Sequence, residues 1–128
     1  MKLLLDTCTF LWIVTGSSQL SRRASQLFSD PSNEVFLSAA SAWEIAIKHS
    51  MGRLPLPAPV STYVVRLRER HGIAALPVGE EEALYLPRLP KLHRDPFDRV
   101  LICQAIVNGF ALLPPDPLVT QYPIRTIW

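Results

Sequence analysis

The sequence is short of the residues and patterns that would settle its class cheaply. It has two cysteines, Cys8 and Cys103, with no CxxC pair and no His/Cys cluster. A disulfide framework and a zinc site are therefore not expected, and a reducing compartment is the simpler assumption. No apolar run approaches the roughly 18 residues a membrane span requires. The start, MKLLLDTCTFLWIVTG, imitates a secretory leader, but Asp6 interrupts it and no A-x-A site follows. The expectation is a buried strand and helix in a cytoplasmic protein. Internal repeats and low-complexity tails are lacking, as are a nucleophile elbow and the second acid of a DxD pair after Asp6. A serine or cysteine hydrolase thus has little support. A phosphoacceptor domain using Asp6 as nucleophile is disfavoured, because Thr7 and Cys8 follow instead. His49, His71 and His93 have no evident partner and read as surface or cap residues.

What is present is a chain of 128 residues, 48% hydrophobic and 9% aromatic, with a formal net charge of +2. That composition predicts one globular domain over residues 1–128, with a core sufficient to stand alone. The slight positive balance permits a nucleic-acid partner without demanding one.

Apolar Leu3–Leu5 predicts a strand, followed by a helix from Cys8 to Val14 ending near Gly16. A second helix is expected over Leu20–Phe28, with Ser18 or Ser21 as cap, then a strand over Glu34–Ser38. Ala40–Met51 reads as a helix closed by Gly52, and 53–60 as an extended, proline-punctuated connection. Helices over Ser61–His71, Gly79–Leu86 and Asp95–Asn108 alternate with strands over Ile73–Val78, Phe110–Leu113 and Ile124–Ile127. Such alternation, with few hairpin signals, predicts an α/β fold with a mainly parallel sheet.

Most of the 11 acids occupy ordinary places, such as the helix start at Glu80, Glu81 and Glu82. Four do not. Asp6 ends an apolar strand, where parallel sheets build sites; it equally serves as cap for the next helix. Glu44 completes an S-x-x-E capping box from Ser41 and precedes Lys48 by four residues. It is also the one long polar group on the inner stretch of a helix made slim by Ala39, Ala40, Ala42 and Ala46. Asp95-Pro96 starts a helix by rule, which puts Asp98 in its first turn on the stripe of Leu101, Ile102 and Ala105. Asp116 follows an apolar strand, in a turn-like setting between prolines.

If Asp6, Glu44, Asp98 and Asp116 converge, each pair about 5 Å apart repels by roughly 3 kcal/mol at an effective dielectric near 20. Protons or a divalent cation would have to offset this. An oxygen-only set selects Mg²⁺ or Mn²⁺ over zinc. Trp12, Trp43 and Trp128 are read as core residues rather than contact residues.

LLLDTCTFLW, SAASAWEIAIK, HRDPFDRVLICQA and LLPPDPLVTQYPIRTIW follow the order and spacing of the PIN-domain ribonuclease toxins of the VapC type. The resemblance runs from Met1 to Trp128, and HRDPFDR before an apolar helix is its most specific part. It implies a PIN-like three-layer α/β/α sandwich and gives Asp6, Glu44, Asp98 and Asp116 catalytic and metal-binding roles, with Asp95 kept as a helix cap. It further implies Mg²⁺, or Mn²⁺ in its place, RNA as substrate, a homodimer and a cognate antitoxin. Lys48, Arg94 and Arg99 are the candidate contacts to RNA phosphates; Arg125 is a further rim candidate. One departure stands out. The family usually has Ser or Thr two residues before its last acid, and here Pro114 and Pro115 precede Asp116. A degenerate PIN domain that binds antitoxin or RNA without cutting is the alternative this leaves open.

Overall fold

A computed structural model describes residues 1–114 and 116–128. Four parallel strands form one sheet in the order β3-β2-β1-β4: β1 is Lys2–Leu5, β2 Glu34–Ser38, β3 Ala74–Leu76 and β4 Ala111–Leu113. The chain winds outward from β1 through β2 to β3, then crosses the whole sheet to place β4 on the other side of β1. Because such crossovers are right-handed, the reversal puts its helices on the opposite face.

Two cores show this. Leu3 and Leu5 face one, with Phe10 and Ile13 from helix α1 (Thr7–Thr15), Ala24 from α2 (Arg22–Ser29), Ile45 from α3 (Ala39–Ser50) and Val64 from α4 (Val60–Arg70). Leu4 faces the other, with Leu101, Ile102, Cys103 and Ala105 of α6 (Pro96–Asn108); Tyr85, from the short α5 (Glu80–Tyr85), packs beside them. The three-layer α/β/α sandwich expected from the sequence is therefore the fold. Leu3, Leu4 and Leu5 are fully buried. At roughly 2 kcal/mol each they anchor β1 firmly enough to carry a buried acid at its end.

Helix ends follow local rules. Gly16 and Gly109 adopt φ values of 65° and 73°, the left-handed conformation that stops α1 and α6 at little cost. The Asp95 carboxylate accepts from the N–H groups of Phe97 and Asp98 at 2.8 and 3.2 Å, with Pro96 in the first helical position. Among the described residues, no helix is long and apolar enough to cross a membrane.

Two local expectations are corrected. Ser41 does not form a capping box with Glu44. Strand β2 runs directly into α3, so Ser38 meets the helix start first and its hydroxyl accepts from Ala40 N–H at 3.0 Å. Ser41 lies inside the helix, fully buried. Residues 124–127 form no strand but a single parallel bridge, Leu112 to Thr126. In a three-residue strand only the middle residue turns both backbone groups outward, and Leu112 alone bonds Arg125 C=O and Ile127 N–H.

Candidate active site

All four strands are parallel, so their carboxyl ends share one edge. Strands β1 and β4 flank the point where strand order reverses, the place where open α/β sheets form their sites. Asp6 directly follows β1, and Asp116 lies three residues beyond β4. Helix α6 runs back toward the start of β4, so its own beginning, with Asp95 and Asp98, stands at the same edge.

As cap of α1, Asp6 accepts through Oδ1 from Thr9 N–H at 2.8 Å. The Thr9 hydroxyl lies 2.9 Å from the same oxygen and 2.7 Å from the Leu113 carbonyl, with one proton to give to either. This ties the ends of β1 and β4 together. Asp6 is only 6% exposed. Burial, opposed by the Thr9 bonds and reinforced by Asp98 and Glu44, pushes its carboxyl up to about 7.

Glu44 is 5% exposed. Its Oε1 accepts from the Thr7 hydroxyl at 2.6 Å, and its Oε2 is ion-paired with Lys48 one turn on. The bond to Glu44 raises the Lys48 ammonium's pKa. The helical ion pair expected from the sequence is present, so Lys48 is committed to Glu44.

Asp98 lies on the face shared with buried Leu101, Ile102 and Ala105, as its spacing predicts. It does not reach back to the cap; its Oδ2 meets His93 Nε2 at 2.7 Å. Burial raises the Asp98 carboxyl's pKa, opposed by the His93 bond and reinforced by Asp95 and Glu44. Asp116 joins from the other side. Its Oδ2 lies 3.6 Å from the same nitrogen, while its Oδ1 accepts from Leu118 N–H at 2.9 Å. Of the two prolines before it, Pro114 is buried and Pro115 lies outside the described residues.

The acids thus fall into two halves. Asp6 and Glu44 form an inner, hydrogen-bonded half. Asp98 and Asp116 form an outer one, where potential ligand atoms of His93, Asp98 and Asp116 all lie within 4.8 Å of one another. The halves are close: Asp98 and Glu44 both disfavour the charge on Asp6, and Glu44 that on Asp98. Sequence reasoning missed His93, which is not a surface or cap residue: its side chain is 11% exposed. One signal was available. His93 lies two residues before the cap Asp95, from where a side chain can fold back onto the third helical position, Asp98. The other two histidines also have partners, His49 at the Leu54 carbonyl and His71 at the Leu67 carbonyl, each 2.8 Å away.

Of the remaining cations, Arg94 is exposed, and Arg99 is half-buried with its Nε lacking a hydrogen-bond partner among the described residues. Trp43 is not a core residue. It is 64% exposed, edge-on to Phe97 at 5.7 Å, so an aromatic pair immediately precedes Glu44 and Asp98 in sequence. Ile45 is the α3 side chain in the core, while Trp12 and Trp128 pack against each other at 5.9 Å.

The donor set fits a hard divalent cation. Carboxylates come from the end of β1, α3, α6 and the segment after β4; burial disfavours the charge on Asp6 and Asp98, and a bound cation would offset that penalty.

The profile of the PIN domain matches residues 3–117. A segment of 52 residues is 46% identical to ribonuclease VapC16 of Mycobacterium tuberculosis, covering 41% of this chain and 37% of that protein. Over 99% of this chain, the fold is similar to 98% of a chain in the VapBC2 complex of Rickettsia felis bound to a promoter DNA fragment, with a TM-score of 0.72 at 12% identity. It is similar likewise to 97% of a chain in VapBC-1 of nontypeable Haemophilus influenzae, again over 99% of this chain, with a TM-score of 0.64 at 16% identity. The family profile reaches from the middle of β1 past Asp116 and takes in every acid of the cluster: this chain belongs to the PIN-domain family.

Proposed function

We propose that this chain is a metal-dependent endoribonuclease, the toxin of a VapC-type toxin–antitoxin pair, built as a single PIN-like domain. The observation that carries the proposal is the gathering of Asp6, Glu44 and Asp98 at the strand-order reversal, with the Asp6 carboxyl pushed up to about 7. The likeness to ribonuclease VapC16 supports RNA as the substrate. The likeness to chains of VapBC complexes supports an antitoxin partner. The same reading takes the protein as a cytoplasmic homodimer.

Asp6 and Asp98 are the principal metal carboxylates in this scheme, joined by Asp116. Glu44, with an oxygen bonded to Thr7 and the other to Lys48, acts through water or by orienting its neighbours. An Mg²⁺ or Mn²⁺ ion held by these carboxylates would supply positive charge against the scissile phosphate and would lower the pKa of an attacking water. Lys48 lowers the net negative charge that an RNA backbone meets, and Arg94 and Arg99, on either side of the Asp95 cap of α6, are the candidate phosphate contacts. Thr9 holds the ends of β1 and β4 at fixed separation, which keeps the carboxylates in register.

The test is cleavage of total cellular RNA by purified, antitoxin-free protein with Mg²⁺ or Mn²⁺, with chelator, and with Asp98→Asn. Discrete fragments lost in both controls are expected. Folded protein that cuts nothing with either ion would overturn the proposal in favour of a PIN domain that binds without cleaving.

A further inference from the structure

His93 stands between the two outer carboxylates, either as a support for Asp98 or as a ligand in its own right. Its Nε2 is 2.7 Å from Asp98 Oδ2 and 3.6 Å from Asp116 Oδ2. We propose that His93 Nε2 is itself a metal ligand beside Asp98 and Asp116, making a mixed nitrogen–oxygen centre that prefers Mn²⁺ to Mg²⁺. The proposal rests on the metal-dependent reading above.

Geometry is the first argument. An octahedral ion with bonds of about 2.1 Å sets neighbouring ligand atoms about 3.0 Å apart. The two separations from Nε2 bracket that value, so small shifts of the carboxylates would complete the arrangement.

The second argument is how firmly the histidine is held. The backbone N–H groups of Leu92 and His93 donate to the Tyr122 hydroxyl at 3.2 and 2.9 Å, and that hydroxyl donates to the Pro90 carbonyl at 2.9 Å. Tyr122 is buried in the core beneath α6. The segment before α6 is thus pinned from a remote part of the chain, which fixes the imidazole against the carboxylates.

Ligand chemistry supplies the selectivity. Mg²⁺ favours oxygen donors and parts reluctantly with its waters, whereas imidazole suits first-row transition ions. Replacing one oxygen ligand by His93 therefore tilts the centre toward Mn²⁺. A histidine that merely donated a hydrogen bond to Asp98 would orient the carboxylate for either ion alike.

That difference defines the experiment, which needs neither RNA nor turnover. Mn²⁺ is added to chelator-treated wild-type protein and the bound ion is examined by electron spin-echo envelope modulation for ¹⁴N coupling. Mn²⁺ and Mg²⁺ affinities are then measured by calorimetry for wild type, His93→Ala and His93→Gln, with circular dichroism to verify folding. The expected result is ¹⁴N coupling in wild type and its loss in His93→Ala. Mn²⁺ affinity should fall by ~10-fold or more in that variant, while Mg²⁺ affinity changes by less than about threefold. Mn²⁺ bound without ¹⁴N coupling would overturn the proposal and leave the metal-dependent nuclease standing, as would equal weakening of both ions. Wild-type protein that binds Mg²⁺ but no Mn²⁺ would overturn the proposal alone, and failure to bind either ion would overturn both. The spectroscopic result on wild type stands even if a variant does not fold.

Discussion

Thr7 donates its hydroxyl to Oε1 of Glu44 at 2.6 Å, joining the first residue of α1 to the middle of α3. Lys48 holds the other oxygen of the same carboxylate. Glu44 is thereby satisfied by protein donors on both sides, while Asp98 and Asp116 share one histidine. Thr7→Val keeps the shape and removes the donor, leaving a buried carboxylate oxygen without its bond. The expected cost is about 1–3 kcal/mol in urea-induced unfolding, largely restored by Thr7→Ser. An unchanged midpoint for the valine variant would show that this bond does not hold α3 against α1.

The Asp6 carboxyl rises from 3.8 to about 7 through burial. Its folded-state pKa then exceeds its unfolded one, so the folded protein binds that proton more tightly. The sign follows. With chelator present, stability falls as pH rises from about 4 to 7, and the full penalty, on the order of 4 kcal/mol, is present above pH 7. Asp98 is shifted in the same sense. Asp6→Asn removes the charge and keeps an oxygen for Thr9 N–H, so it is expected to be more stable than wild type at pH 8 and to show a flatter pH profile. Urea midpoints at pH 5.5 and pH 8 test this; a wild-type midpoint that climbs toward pH 8 would contradict it.

The frame of this site was legible wherever local rules suffice. Leu3–Leu5 read as a buried strand because three fully apolar residues before an acid have few other uses in a chain of alternating elements. Asp95-Pro96 and Gly109 marked α6, and the spacing of Leu101, Ile102 and Ala105 set the direction of Asp98. The losses are non-local. His93 has no periodicity of its own; a tyrosine hydroxyl 29 residues later positions its backbone. Ser38 displaced Ser41 as cap because β2 and α3 are continuous, which a motif search over isolated tetrapeptides does not see. Trp43 was misplaced for a related reason. Helix α3 turns Ile45 into the core and leaves Trp43, two residues earlier, on the outer face.

The Tyr122 hydroxyl offers a test of that non-local control. It accepts from Leu92 and His93 N–H and donates to the Pro90 carbonyl. Tyr122→Phe keeps the ring in the core and removes all three bonds. A loss of about 1–3 kcal/mol is expected from the orphaned backbone groups. Because the same bonds fix His93, affinity for Mn²⁺ should fall by about 10-fold as well, the scale of losing an outer support. Destabilisation with unchanged ion affinity would separate the segment's anchoring from the centre.

Asp116 is the acid whose setting departs most from the family pattern, and its two oxygens already divide their work. Oδ1 caps its own turn through Leu118 N–H, and Oδ2 approaches His93 at 3.6 Å, with the side chain 36% exposed. Asp98 is more enclosed and bonds His93 directly at 2.7 Å. Once a cleavage site has been mapped, single-turnover rates on that RNA should rank the two. Asp98→Asn is expected to abolish detectable cutting. Asp116→Asn, which keeps an oxygen for Leu118, should slow it by about 10- to 100-fold. A silent Asp116→Asn would mean that the prolines before it have withdrawn this acid from the reaction, leaving Asp6, Glu44 and Asp98 as the working set. Equal loss in both would make Asp116 as necessary to cutting as Asp98, despite the missing hydroxyl at position 114.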